Sequence, residues 1–383
     1  MKKIEVILKV TERCNLKCKY CYNGEVECRG GTLSHERFEK LLRTLLTGYN
    51  LIHIIWHGGE PLLAGIDYFK ATMDVERRVQ IETGAIIENS IQTNGTLING
   101  EWIRFFKEHG FRVGISFDGV ENERYRQGSD KVMRAMKMLR SEGMRFGCNA
   151  VVADDSYDLK KNYLFFKEKG LSFDFSRMIS EGGAKGMSCV DGDNFAREMC
   201  ELFDEWIYDT EGVSIRSFVL YMNLALGGKY RLCSCASCHT KYLSITPDGM
   251  LYNCARESMR RYPFGNIDDL DSVSDIFNSE GAYALVSGSV ARRNKCKEKC
   301  AFYSVCGGGC ADVAIAEGDL SDNPEESCRI FKRVYSHVKE VCDRIILENT
   351  PMTSLNPEFR RIMAQTLSKA TTTTKNDPAD SYI

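Results

Sequence analysis

Apolar runs of strand length alternate with amphipathic helical runs from residue 4 to residue 175, and this alternation constrains the fold more than any other feature of the chain. The strand-like runs cover residues 4–10, 52–56, 87–92, 113–117, 145–152 and 171–175. Between the first two, Ser34 can cap a helix whose Phe38, Leu41, Leu42, Leu45 and Leu46 fall on one face. Gly110, Gly143 and Gly170 each precede the next strand, where glycine suits the left-handed residue just past a helix. Six strand–helix units imply a parallel α/β architecture. Periodicity alone does not separate an open sheet from a barrel.

Directly after the first run stand Cys14, Cys18 and Cys21. A structural zinc or a fully ligated iron–sulfur cluster takes four protein ligands, so three thiolates leave one iron open to a small molecule. This CxxxCxxC spacing, with Tyr20 before the third cysteine, resembles the signature of the radical SAM enzymes. The resemblance implies a partial (β/α)6 TIM-like barrel. It also implies a 4Fe–4S cluster whose open iron chelates S-adenosylmethionine (SAM), reductive cleavage then giving a 5′-deoxyadenosyl radical. A zinc site or buried thiols is the alternative that three cysteines alone leave standing.

In such barrels the chemistry sits where strands end. The second strand runs into Trp56-His57-Gly58-Gly59-Glu60-Pro61, similar to the GGEP motif with which the family binds the methionine amino group. Two glycines let backbone approach a ligand closely. Some relatives carry Gln at the place of His57, which implies contact with SAM or substrate; a surface or second-shell histidine is the alternative. The fourth strand ends in Ser116-Phe117-Asp118-Gly119, resembling a segment whose serine contacts the SAM ribose. Gln92-Thr93-Asn94-Gly95 closes the third strand in the same way and Asn149 lies in the fifth, Gln92 and Asn149 reading as polar residues satisfying strand ends.

Composition decides how the cysteines are read. The chain has 17 in 383 residues and no export signal, so they point to metal binding in a reducing cytoplasm rather than to disulfides. Lys plus Arg at 51 against Asp plus Glu at 53 gives no basic excess for nucleic acid, and no stretch is long enough to span a membrane.

Cysteines crowd again at 233, 235, 238 and 254, then at 296, 300, 306, 310 and 328. Around Gly249 and the 307–309 glycines this pattern closely resembles the SPASM domain of peptide- and protein-modifying radical SAM enzymes, the anaerobic sulfatase-maturating family among them. The resemblance implies two auxiliary 4Fe–4S clusters, three clusters in all. One would use Cys233 (or Cys235), Cys238, Cys254 and Cys310, the other Cys296, Cys300, Cys306 and Cys328. Cys296 and Cys300 enclose three residues where the family usually has two. Sulfatase maturases also place an aspartate, the proton acceptor, directly after the cysteine equivalent to Cys254; here Ala255 stands there, followed by Arg256 and Glu257. Two zinc knuckles are the alternative, and they would want paired CxxC hooks, which are absent. The leftover cysteines (Cys28, Cys148, Cys189, Cys200, Cys342 and one of Cys233 or Cys235) read mostly as small buried hydrophobes.

The expected layout is a barrel over residues 1–215, a SPASM domain over 216–350 and a disordered tail over 351–383. The expected function is a maturase that abstracts hydrogen from a ribosomally made precursor peptide, installing a thioether or carbon–carbon crosslink. Formylglycine formation in a sulfatase and peptide epimerisation are the enzymatic alternatives. An iron–sulfur electron carrier or scaffold is the non-enzymatic one. No catalytic base is evident. With the first strand starting at once, no leader-recognition domain is expected ahead of it. The peptide would be held by the barrel, the SPASM domain or a separate leader-binding protein, and an external low-potential donor would supply electrons.

Overall fold

A computed structural model describes residues 2–24, 31–228 and 238–372. Six parallel strands, β1 (Lys3–Thr11), β2 (Leu51–Gly58), β3 (Ile86–Thr93), β4 (Arg112–Ser116), β5 (Phe146–Val152) and β6 (Phe173–Arg177), pair in sequence order. The connecting helices are α1 (His35–Leu45), α2 (Ile66–Thr83), α3 (Gly100–Glu108), the short α4 (Asn122–Tyr125), α5 (Ser129–Ser141) and α6 (Leu159–Glu168). Each strand turns alternate residues outward: Ile4, Val6, Leu8 and Val10 of β1 are fully buried against the helix layer. Phe38, Leu41, Leu42 and Leu45 of α1 meet them, and the Ser34 hydroxyl caps this helix by accepting from the Arg37 amide. Gly110, Gly143 and Gly170 all take positive φ, as the helix ends require.

The parallel barrel sheet expected from the six units is present, and it does not stop with them. After α7 (Gly192–Trp206) and α8 (Arg216–Ala225), the strand β7 (Tyr242–Ile245) lies parallel to β1, with Glu5 opposite Tyr242. An antiparallel hairpin to β8 (Met250–Tyr252) and then β9 (Gly265–Asn266) completes one nine-stranded sheet. Gly249, at φ +91°, makes the hairpin turn. Helices α9 (Val273–Phe277), α10 (Glu280–Lys299), α11 (Tyr303–Cys306), α12 (Ala311–Glu317) and α13 (Glu325–Leu347) follow, α13 packing on α7 and α8.

The expectation of a disordered tail from residue 351 is corrected. A helix α14 (Pro357–Thr372) lies against α8. Leu355, Phe359 and Ile362, on one face at helical spacing, are buried, and the Asn356 side chain donates to the Trp206 carbonyl at 3.1 Å. The polar residues beyond them dominate the composition and conceal that face. The rest of the expected tail lies outside the described residues. Cys148, Cys200 and Cys342 are buried as expected, whereas Cys189 is half-exposed; Cys28 lies outside the described residues.

Candidate functional site

The cysteine loop leaves the end of β1 and turns back on itself, the Cys21 amide donating to the Cys18 carbonyl at 3.1 Å. Burial pushes the Cys14 thiol up to about 11, with the nearby Glu60 carboxylate adding to the shift. Two N–H groups approach the sulfurs of the loop: Asn94 Nδ2 at 3.9 Å from Cys14 Sγ, and an Arg126 guanidinium nitrogen at 3.9 Å from Cys18 Sγ. Among the described residues no three cysteine, histidine or acidic side chains are drawn close enough to hold one metal ion; the loop carries Cys14, Cys18 and Cys21 in one short segment, with N–H donors beside two of the sulfurs.

Gly58 and Gly59 are needed here for a reason periodicity does not reveal. A Cβ on Gly59 would stand 2.0 Å from the Arg13 carbonyl oxygen, and one on Gly58 2.3 Å from that of Thr11. The two loops are pressed together, with the Gly59 amide on the Thr11 carbonyl and the Glu60 amide on that of Arg13. Close approach is therefore first to the cysteine loop itself. Glu60 is fully buried and its carboxylate is turned inward, accepting from the Leu62 amide, the Thr93 hydroxyl and the Asn94 amide. Burial lifts it to about 7 against those hydrogen bonds.

Tyr20 is likewise committed to scaffold. Its hydroxyl donates to Asp118, and the Arg126 guanidinium lies 5.2 Å from its ring centroid and pairs with both Asp118 oxygens. Ser116 Oγ accepts from Gln92 Nε2 at 2.8 Å, and Gln92 Oε1 accepts from Asn149 Nδ2 at 3.2 Å. Gln92 and Ser116 near the ends of β3 and β4 and Asn149 midway along β5 thus form one network.

His57 faces the cysteine loop. Its Nδ1 accepts from the Gly58 amide at 2.8 Å and lies 3.3 Å from the Tyr22 hydroxyl. Burial and then the nearby Lys9 charge push it down to about 4, so it is neutral. The Tyr22 ring has two cations beside it, Lys9 Nζ at 5.4 Å and the Arg256 guanidinium at 5.3 Å from the centroid. Lys9 is almost fully buried, donates to Asn23 at 2.7 Å and lies 3.8 Å from Glu12, which Arg260 also binds. Arg256 pairs with Glu181 Oε1 at 2.6 Å and lies 3.7 Å from Asp312. Glu181 begins a loop after β6 whose Gly182 and Gly183 press on Cys21 and Tyr22, the Gly183 amide donating to the Cys21 carbonyl at 2.7 Å. The residues around this seam—Lys9, Tyr22, Glu181 and Arg256—carry no sequence motif and were missed by sequence reasoning.

Cys328 and Cys296, both raised first by burial, each feel Cys306 and Cys300. Buried Arg292, its Nε 2.9 Å from the Gly308 carbonyl, lies among Cys310, Cys296 and Cys238. Cys238 contacts Asn253, the neighbour of Cys254, at 3.4 Å. Cys233 and Cys235 lie outside the described residues.

The chain matches the radical SAM superfamily over residues 8–154 and the SPASM iron–sulfur cluster-binding domain over residues 233–307. It is similar to the cysteine-type anaerobic sulfatase-maturating enzyme of Clostridium perfringens (strain 13 / Type A), 28% identical over 348 residues, which span 85% of this chain and 93% of that one. The serine-type enzyme of Klebsiella aerogenes is 28% identical over 335 residues, 80% of this chain and 79% of the relative. Native anSMEcpe with bound AdoMet and the Kp18Cys peptide superposes with a TM-score of 0.76 at 26% identity, over 90% of this chain and 100% of that one. Streptococcus suis SuiB bound to its precursor peptide SuiA shares the fold, with a TM-score of 0.65 at 18% identity over 86% and 76% of the two chains.

Proposed function

We propose that this chain, which belongs to the radical SAM superfamily and carries a SPASM domain, is a maturase that oxidises a cysteine side chain in a peptide or protein segment held between its cysteine loop and the segment after Cys254. Cys14, Cys18 and Cys21 would hold the cluster that binds SAM. The 58–60 backbone would take the methionine end and Ser116 the ribose. Cys238, Cys254 and Cys310, with Cys233 or Cys235, would hold one auxiliary cluster, and Cys296, Cys300, Cys306 and Cys328 the other. When bound, these cofactors supply a 5′-deoxyadenosyl radical strong enough to break an unactivated C–H bond.

The observation that carries the reading is the contact of Arg256 with Tyr22. Arg256 is two residues past Cys254 and Tyr22 one past Cys21, so a side chain lodged at their seam is within reach of both cysteine groups. With Nδ1 accepting from the Gly58 amide, neutral His57 carries its proton on Nε2, which would donate to a substrate carbonyl. Lys9, Arg256 and the carboxylates around them exclude apolar peptide ends from the seam and give it polar anchors.

The test is anaerobic turnover with SAM and a strong reductant, using the Kp18Cys peptide and small peptides encoded beside the gene. Formation of 5′-deoxyadenosine with loss of two hydrogens from a peptide, with or without exchange of the cysteine sulfur for an aldehyde oxygen, supports the reading; wild-type enzyme that forms no 5′-deoxyadenosine sinks it. Retained mass with one deuterium from D2O means epimerisation instead. The finer outcome divides two ways. A thioether or carbon–carbon crosslink keeps the sulfur and gives no aldehyde. Formylglycine formation gives an aldehyde that hydrazine traps, and the likeness to sulfatase maturases along most of the chain favours it, while Ala255 weighs against it. A cytoplasmic setting, an external low-potential donor and a separate leader-binding protein belong to the same proposal.

A further inference from the structure

Formylglycine formation and a thioether crosslink both leave a cysteine thiol proton without a destination. For a substrate side chain –CH2–SH, the bound cofactors would take up one hydrogen atom and one electron, the electron passing to an oxidised 4Fe–4S cluster that the SPASM cysteines would hold. The thiol proton must go to a protein group, leaving a carbon–sulfur double bond; in a thioether crosslink the hydrogen atom would come instead from the carbon of the second residue, and the cysteine thiol would still give up its proton. Position 255 offers no carboxylate, and Ala255 is itself buried.

We propose that Glu181 accepts this thiol proton. The assignment rests on the maturase reading above and adds the residue that completes it. Glu181 stands at the seam through its backbone, because the glycines that follow it are pressed against Cys21 and Tyr22. It reaches the other side through Oε1, bound to Arg256, the neighbour of Ala255. Its side chain is 7% exposed, and Oε2 is buried with no hydrogen-bond partner among the described residues. A buried carboxylate oxygen without a donor is costly unless a ligand supplies one.

The other carboxylates at the seam are already engaged, and His57 carries its proton on Nε2. Asp312 accepts from the Ser258 hydroxyl and faces Arg256; Glu12 is bound by Arg260 and faces Lys9; Glu257 pairs with Arg260 at 3.0 Å. Lys9 already donates to Asn23. Burial holds Glu181 above the usual carboxylate range, with the Arg256 charge and the Ser258 amide opposing and the Asp312 charge adding, which makes it a stronger base than an exposed carboxylate.

The experiment compares full-length, anaerobically reconstituted wild type, Glu181→Gln and the Glu181→Gln/Ala255→Asp pair on Kp18Cys. Iron content and peptide affinity are measured beside turnover. For Glu181→Gln the expected result is unchanged iron, peptide affinity within about threefold, continued 5′-deoxyadenosine formation and product down roughly 100-fold. A substrate-centred radical should then accumulate in the electron paramagnetic resonance spectrum. The added aspartate should restore at least roughly tenfold of the loss. Glu181→Gln that makes product within about threefold of wild type overturns the assignment. Wild type that cleaves SAM but leaves Kp18Cys unchanged also overturns it, whereas wild type that cleaves no SAM overturns the maturase reading beneath it. If Glu181→Gln loses iron, Glu181→Asp and Glu181→Asn decide: product from the first alone supports the role, and equal rates refute it.

Discussion

The Arg256 guanidinium lies 5.3 Å from the centroid of the Tyr22 ring and ties two cysteine-bearing segments that are more than two hundred residues apart. The same guanidinium pairs with Glu181 and faces Asp312, both buried. One side chain therefore joins the first strand's loop, the sixth strand's loop and the SPASM hairpin.

Arg256→Ala should accordingly destabilise the protein by about 1–3 kcal/mol, less than a fully buried pair because the arginine is a third exposed. Arg256→Lys, which keeps the charge but not the planar face over Tyr22, should lose less. Denaturation midpoints under anaerobic conditions measure both. Equal midpoints for wild type and Arg256→Ala would mean that the seam is held elsewhere.

Gly59→Ala should uncouple the first cluster from the others. Its Cβ would meet the Arg13 carbonyl at 2.0 Å, a clash of backbone with backbone in the loop that carries Cys14. Iron after reconstitution should fall from about twelve toward about eight per chain, for clusters of four irons each. Gly31→Ala, where nothing lies within 4 Å, is the matched control and should keep full iron. Full iron in Gly59→Ala would show that the loop yields without loss.

Arg126 brings a positive charge and an N–H to 3.9 Å from Cys18 Sγ. Charge and hydrogen bonds at cluster sulfurs stabilise the reduced form, so Arg126→Gln should shift the potential of that cluster negative by roughly tens of millivolts. Arg126→Lys should shift it less, and should also spare the fully buried Asp118 from losing its counter-charge. Redox titration followed by magnetic resonance checks this; an unchanged potential in both variants would assign Arg126 to structure alone.

Glu76 sets a pH dependence of stability. It is buried between α2 and the sheet, accepts from Asn89 Nδ2 at 2.7 Å, and Asn89 in turn accepts from Trp56. Burial, opposed by the Asn89 hydrogen bond, lifts its carboxyl from the ordinary 4.5 to about 8. The folded state then keeps a proton that the unfolded state releases. The contribution to stability is full below pH 4.5, shrinks as pH rises, and is gone above about 8. Glu76→Gln removes this slope, so it should gain at least about 1 kcal/mol over wild type at high pH and little at low pH. A difference independent of pH would contradict the account.

Much of the fold was legible because its signals are local. Alternation within β1, the Ser34 cap and the glycines after α3, α5 and α6 each depend on residues a few positions apart, and all appear where their spacing put them. Even so, locality misled at the far end, where Leu355, Phe359 and Ile362 formed a buried helix face inside a stretch of polar composition. The glycine pair of the GGEP run was legible as a close approach, but its first partner is the Arg13 carbonyl.

What residue spacing alone determined is the chemistry on offer: Cys14, Cys18 and Cys21 sit within one loop, and no distant element is needed to bring them together. Folding decided who faces them. Tyr20 and Glu60 spend their polar atoms on Asp118 and on Thr93 with Asn94, while Lys9, Glu181 and Arg256 meet at Tyr22 from three separate parts of the chain. That meeting follows from β7 pairing with β1 and from the loop after β6 closing on Cys21. Both are long-range choices, set by which strands share a sheet, and no periodicity within a window of residues encodes them.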